Sequence, residues 1–290
     1  MTVPALLIFS LFSYLPMPGI IMAFKDYNFK GGIFGSPWNG LDNFKFFFDS
    51  PYFLRTTFNT LFINVCNMVV GTILAVGLAI LLNELRGKTA KRLYQNCIFL
   101  PYFISAIAIG KFVALLFSSD KGLVNQLITF WGGTPVDWYS NPSPWVAIVV
   151  GFFQWKNIGY SIIVYLAAIT GFDAELYEAA AIDGASRTKQ ILHITLPLLK
   201  PLVIIMTLMA IGRIFYGDFQ MLYAIVGDNG RLMPTTDIIE TFMFRSIRTS
   251  VPPQYGMATA VGLYQSVLGF LAIFGSNWLI KRHNPDYALF

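Results

Sequence analysis

Charge is what this 290-residue chain has least of. Only 12% of its residues are Asp, Glu, Lys or Arg, against roughly 25% in soluble domains. That leaves too little polar surface to cover a water-soluble body of this length. Histidine and cysteine are nearly missing as well, with two of each, and no set of them has metal-ligand spacing. Cys66 and Cys97 stand apart in apolar surroundings and read as small buried hydrophobes, not as disulfide partners. No basic run interleaved with exposed aromatics occurs, so the net charge of +5 points to lipid head groups and loop placement, not to nucleic acid.

Several catalytic and nucleotide-binding patterns are also missing. Gly87-Lys88-Thr89 has the tail of a phosphate-binding loop, but Leu82 stands where the first glycine is required, and no strand precedes it. There is no G-x-S-x-G, H-E-x-x-H or C-x-x-C, and Pro142 rules out glycosylation at Asn141.

What the chain does have is apolar length: 56% of its residues are hydrophobic. They fall into six candidate spans, at about 3–24, 58–82, 96–117, 145–170, 198–226 and 258–280. Each is near or above the ~20 residues that cross ~30 Å of hydrocarbon at ~1.5 Å per residue. The first span has no basic leader and no small-residue cleavage site after it, so it reads as a retained helix. Pro16 and Pro18 within it are tolerable where neighbours satisfy the freed carbonyls. Placing the N-terminus inside puts Arg86, Lys88, Lys91 and Arg92 in one short inner loop and Lys281 and Arg282 in the tail. Outer-loop bases such as Arg55 and Arg245 are spread over longer loops and offset by acids such as Asp49, Asp237 and Glu240. Short loops dominate orientation, which favours both termini inside.

Aromatic residues gather at two outer ends, Phe44, Phe46, Phe47, Phe48, Tyr52 and Phe53 before the second span, and Trp131, Trp138, Tyr139 and Trp145 before the fourth. Two readings stand: an interfacial belt anchoring helices, or a docking and sugar-stacking surface.

The connection between spans four and five, about 171–197, is ordered beyond what a linker needs. Asp173 can cap a short helix whose early turns carry Glu175 and Glu178, where negative charge suits the macrodipole. Ala179, Ala180 and Ala181 make it a slim rod. Gly184 can end it in a left-handed conformation, and Ser186 can cap a second short helix carrying Ile191, Leu192 and Ile194. Pro197 is expected to break that helix before the fifth span. On pattern alone, a solvated amphipathic connector is the competing reading.

Glu178-Ala179-Ala180, then Asp183-Gly184-Ala185, Ile194, Pro197 and Pro201, resembles the EAA loop of binding-protein-dependent ABC importer permeases. The likeness runs over nearly the whole chain. Residues Tyr14 to Tyr27, Gly35 to Leu41, Thr60 to Asn83, Ile163 to Ala185 and Ala258 to Leu263 resemble the oligosaccharide (LplB-type) branch of sugar permeases. The resemblance implies one all-α membrane domain over residues 1–290, of the type I importer permease fold, in a bacterial inner membrane. It implies that Glu178, Ala179, Ala180, Asp183, Gly184 and Ala185 couple the spans to a cytoplasmic ATPase dimer. ATP and Mg would be bound on that partner and no cofactor in this chain. The remaining partners it implies are a second, similar permease, an external solute-binding protein, a saccharide cargo and membrane lipids. A secondary transporter driven by an ion gradient is the alternative. It would need intramembrane carboxylates, of which only Asp218 qualifies.

Lys111, Lys156, Arg213 and Asp218 fall inside the candidate spans. Each costs at least ~2.5 kcal/mol at a helix centre unless paired or hydrated. Arg213 and Asp218 would sit about 140° apart on one regular helix, too far round to neutralise each other. Together with Gln220 these four residues form the candidate cargo path. Three bases against one acid suggest a positive cavity and an anionic, uronate or alginate-type saccharide. The competing reading has Lys111 and Lys156 snorkelling or pairing with neighbouring helices. Gln154, Asn157, Tyr160, Tyr216 and Gln265 add hydrogen-bonding capacity, with helix packing as their first use.

Overall fold

The computed structural model describes residues 2–85 and 87–289. Arg86, used above to orient the chain, lies outside them. Regular structure among the described residues is helical, apart from one isolated bridge between Lys25 and Trp38. Among the described residues, five helices are long and apolar enough to cross a membrane: α1 (Val3–Phe24), α3 (Tyr52–Glu84), α7 (Trp145–Thr170), α9 (Arg187–Ile211) and α12 (Tyr255–His283). A bent pair, α4 (Lys88–Phe103) and α5 (Ala106–Leu116), makes the sixth. Shorter helices fill the connections: α2 (Asp42–Phe48), α6 (Leu123–Phe130), α8 (Ala174–Ile182), α10 (Phe219–Val226) and α11 (Ile239–Arg248). Large apolar side chains such as Phe12, Ile73, Leu115 and Phe270 point outward, a surface that lipid covers and water would not.

The prolines explain the irregular turns. In both α1 and α9 a π turn, at Ser10–Tyr14 and Ile191–Thr195, ends two residues before a proline, Pro16 and Pro197. The wide turn makes room for the ring and absorbs the missing N–H. Pro197 therefore does not break the chain, contrary to the sequence expectation. The helix runs on from Arg187 to Ile211, with Pro201 inside it.

The third and fifth spans differ from expectation. The third is not one helix over 96–117, because its first half begins at Lys88, inside the stretch read as a short loop, and turns by 96° before Ala106. Pro101 lies in a tight turn at the end of α4, and the Ser105 hydroxyl accepts from the Ala108 N–H to start α5 afresh. The fifth is not one helix over 198–226, because the chain unwinds between Ile211 and Phe219 before α10. The halves α5 and α10 lie directly against each other. A Cβ on Gly110 would sit 2.0 Å from the Ala224 carbonyl oxygen, so only glycine lets them meet.

Lys156 serves the bend between α4 and α5. Its ammonium donates to the Tyr102 carbonyl at 2.8 Å and to the Ile104 carbonyl, and lies 5.6 Å from the Tyr102 ring centroid. It satisfies acceptors that the turn leaves open inside the membrane. Lys111, by contrast, is exposed on α5 with no hydrogen-bond or ion-pair partner among the described residues.

The helices α3 and α7 build the centre. Ile63, Val149, Val150 and Ile225 close one apolar cluster, and Ala75, Ala79, Ile162 and Leu199 another. Within the aromatic run around the start of α3, Phe47 is core and Phe44 and Phe53 are half-buried, while Phe46, Phe48 and Tyr52 stay exposed. Phe47 is 1% exposed and packs against Phe48, Phe53, Phe242 and Tyr264 at ring-centroid distances of 5.3–5.8 Å. Trp145 is likewise buried, 4.6 Å from Tyr139, while Trp131 stays exposed. Each group is divided: α11 and α12 fold over Phe47 and α5 over Trp145, while Phe46, Phe48, Tyr52 and Trp131 keep the exposure that a belt or a docking surface requires. Cys97 is exposed and Cys66 half-buried, so Cys97 is not the core hydrophobe expected.

Charges expected to lie solvated in outer loops form a buried knot. Asp237, with no side-chain exposure, accepts from Arg55 at 2.8 Å and from Arg245 at 2.7 Å. Thr241 Oγ1 donates to the same carboxylate at 2.8 Å, and Asn59 holds the Asp237 carbonyl. The knot ties α11 to the start of α3.

Two stability outcomes follow, measured by thermal unfolding of the purified assembly in detergent. Asp237→Ala leaves two arginines facing each other without their acid and should cost about 3 kcal/mol. Lys156→Met should cost about 1.5–3 kcal/mol by orphaning the bend carbonyls, while Lys111→Met shifts stability by less than about 0.5 kcal/mol.

Candidate functional site

Along α3, Asn64, Asn67, Gly71 and Ala75 recur at spacings of three and four, and along α7 Gln154, Asn157, Ser161 and Tyr165 do the same. Each set lies on one helix face. The two faces, with Met206 and Ala210 of α9 and the unwound residues before α10, enclose a cavity of about 600 Å³. Arg213, Asp218 and Gln220 line it; Lys111 and Lys156 do not. The expected three-base cavity is therefore a one-base cavity, since Lys156 is committed to the α4–α5 bend and Lys111 points outward from α5.

The wall that carries Arg213 keeps local turn bonds from the Arg213, Ile214 and Tyr216 N–H groups, and other elements partner further backbone groups. Asn64 Nδ2 donates to the Ile214 carbonyl at 2.8 Å and to the Tyr216 carbonyl at 3.1 Å. Gln265 Nε2, from α12, donates to the Phe215 carbonyl. Glu240 Oε1, from α11, accepts from the Gly217 N–H at 2.7 Å. Asp218 Oδ1 accepts from the Met221 N–H at 2.9 Å and starts α10. Irregular backbone at membrane depth is tolerated only when it is satisfied in this way or lines a cavity; this segment does both. Asp218 is thus a helix cap, not a free intramembrane acid. Arg213 is exposed to the cavity, and its guanidinium has no hydrogen-bond or ion-pair partner among the described residues.

The sequence reading missed Asn64, Asn67 and Glu240. The two asparagines had a signal, a three-residue polar spacing inside an otherwise apolar run. Glu240 had none, since it looked like one loop acid among several. It sits on α11, which is not a spanning helix, and burial raises its carboxyl above the ordinary glutamate value while hydrogen bonds from Gln265 and the backbone oppose the shift.

At the opposite end of α9 stands the rod α8. Asp173 accepts from the Glu175 N–H at 3.0 Å and begins it. At its end Gly184 takes φ +79°, the Ala185 N–H reaches the Ala180 carbonyl, and the Gly184 N–H reaches the Ala181 carbonyl. This double closure satisfies the last carbonyls. Ser186 then accepts from the Lys189 N–H at 3.5 Å where α9 starts. Glu178, Ala179 and Asp183 are exposed, Ala180 and Ala185 half-buried, and no residue of α8 is buried. Ile182, 88% exposed, crowns the rod. The Tyr177 hydroxyl meets Thr195 Oγ1 at 3.1 Å and tethers the rod to the π turn of α9.

Residues 67–284 match the family of binding-protein-dependent transport system inner membrane components. Protein LplB of Bacillus subtilis is 35% identical over 98% of this chain and 88% of its own. The polygalacturonan/rhamnogalacturonan transport system permease protein YteP of the same organism is 34% identical over 99% and 88%. A crystal structure of a bacterial ABC transporter involved in the import of the acidic polysaccharide alginate superposes with a TM-score of 0.87 at 30% identity, covering 98% of this chain and 94% of that one. A second structure, of a bacterial alginate ABC transporter with an alginate pentasaccharide-bound periplasmic protein, gives the same score over 98% and 93%. With its interrupted spans, polar cavity and projecting rod, the chain belongs to the binding-protein-dependent transport system inner membrane components, as a sugar permease of an ABC importer.

Proposed function

We propose that this chain is one of two permease subunits of an ATP-driven importer that takes anionic oligosaccharides from an external solute-binding protein. The observation that carries the cargo class is the Arg213 guanidinium, unpaired among the described residues, in a cavity whose other polar lining is amides, hydroxyls and the one carboxylate, Asp218, that caps α10. An unpaired cation at membrane depth is costly, and a carboxylate on a passing sugar would offset that cost at each transport cycle. Neighbouring amides supply the donors and acceptors that sugar hydroxyls need. The similar bacterial ABC transporter, which is involved in the import of the acidic polysaccharide alginate, supports the same reading. Asp218, the carboxylate an ion-gradient mechanism would use, is engaged as a cap, which favours an external motor.

The rod α8 is that motor's handle in this reading. Its exposed Ile182 and Leu176 suit an apolar cleft on a cytoplasmic ATPase, with Glu178 as polar anchor, Ala179 and Ala180 as the slim contact face, and Asp183, Gly184 and Ala185 as the closing turn. ATP and Mg belong to the partner, a dimer, and this chain hydrolyses nothing. Closure of that dimer would drive the paired permeases between inward- and outward-facing states, which requires contacts that differ between the two. Both termini then lie on the cytoplasmic side of a bacterial inner membrane, and the far end, with α2 and α11, meets the binding protein; the similar alginate transporter forms a complex with a periplasmic protein.

Two experiments test the proposal in proteoliposomes holding the complete transporter. Gly184→Asp or Glu178→Lys should abolish uptake while the chain remains in the membrane, and cysteines at Ala179 or Ala180 should crosslink to the ATPase; normal uptake with no crosslink refutes the coupling role. Arg213→Gln should lower uptake of a uronate tetrasaccharide at subsaturating concentration by about tenfold, and leave a neutral glucose tetrasaccharide within about twofold. Unchanged uptake of the acidic sugar would overturn the cargo assignment.

A further inference from the structure

The unwound segment before α10 is gripped from three elements, and the grip from α11 is unlike the other two. Asn64 and Gln265 are neutral amides donating to carbonyls, whereas Glu240 brings a carboxylate to the Gly217 N–H. The same Oε1 also accepts from Gln265 Nε2 at 2.5 Å, and that nitrogen in turn holds the Phe215 carbonyl. One oxygen and one amide thus close a ring around Phe215, Tyr216 and Gly217. Gly217 has no space to spare: a Cβ there would lie 2.9 Å from Glu240 Oε2 and 2.6 Å from Ile238 Cδ1. Oε2 itself is shut off from solvent without a hydrogen-bond partner among the described residues.

A carboxylate with one starved oxygen is a costly way to fill space, since an apolar side chain would pack there without desolvating a charge. What it supplies is a strong, directional hold on one backbone N–H. Its own helix is fixed independently, because Asp237, three residues earlier, is locked to Arg55 of α3 and to Arg245. The carboxylate therefore works from a rigid base and points at the segment four residues beyond Arg213.

We propose that Glu240 is a positioning residue for cargo transfer: acting through Gly217 and Gln265, it holds the unwound segment so that Arg213 stands at a fixed place in the cavity wall. This rests on the reading of that cavity as the cargo path. Glu240 touches no cargo; it sets where the guanidinium waits.

The test is uptake by the complete transporter in proteoliposomes, expressed per assembled complex, with assembly and thermal midpoint measured separately. Glu240→Ala should lower uptake of the uronate tetrasaccharide about tenfold. Glu240→Gln keeps an acceptor for Gly217 and should restore it to within about threefold of the wild type. In the double variant with Arg213→Gln, the loss should be smaller than the product of the single losses, since both act on one segment. Wild-type uptake per complex in Glu240→Ala overturns the proposal, as does a deficit confined to assembly and melting, or a strictly multiplicative double variant. Should Glu240→Ala fail to assemble, Gly217→Ala, whose Cβ pushes the carboxylate aside, decides the matter: a comparable loss is expected, and wild-type uptake overturns it. The glucose tetrasaccharide separates the two ideas. If the wild type prefers it, the acidic-cargo reading falls and Glu240 is judged by the neutral sugar; if Glu240→Ala spares both sugars, the positioning role falls alone.

Discussion

Hydrocarbon offers no hydrogen bonds, and that constraint governs this molecule. A helix satisfies it automatically; every interruption must recruit side chains to do what the next turn would have done. The chain interrupts two spans and meets the obligation differently in each. At the α4–α5 bend a lysine ammonium gathers the loose carbonyls and Ser105 restarts the helix. Before α10 the partners come from α3, α11 and α12, and Asp218 restarts the helix. Because α5 and α10 pack face to face at Gly110 and Ala224, the two interruptions belong to one local arrangement.

This accounts for the scarce charges. Of the four charged residues expected in the spans, Lys156 and Asp218 are consumed in repairing backbone, and Lys111 faces outward. Arg213 alone is left facing the cavity without a partner. The polar faces of α3 and α7 supply the rest of a sugar-compatible lining, while the paired apolar faces of the same helices close the core clusters above and below it.

Much of this was legible in the sequence, for physical reasons that can be named. The fourth span was read to the residue because Pro144 and Gly171 bracket an uninterrupted apolar run. The rod was read in detail because caps, alanines and a left-handed glycine are local signals, and Asp173, Gly184 and Ser186 act through their immediate neighbours. The breaks were not legible. Pro101 and Pro197 carry the same local message, yet the chain turns sharply after one and runs straight through the other, because a π turn relieves Pro197 and nothing comparable relieves Pro101. The Asp237 knot and the Glu240 grip join residues up to 182 positions apart in the chain, and Phe47 became core only where α11 and α12 cover it. Long-range pairing of this kind leaves no periodic trace.

The helix α9 begins beside the rod and ends at the segment that carries Arg213. Sixteen residues of α-helix separate the π turn from that segment, roughly 24 Å at ~1.5 Å per residue. The clasp of Tyr177 on Thr195 and the cavity-facing Arg213 thus lie near the two ends of one helix, so the coupling proposed above has a continuous structural route from the rod to the cavity. The clasp sits on the widened turn, one of two places in α9 where the hydrogen-bond ladder is already altered, the other being Pro201.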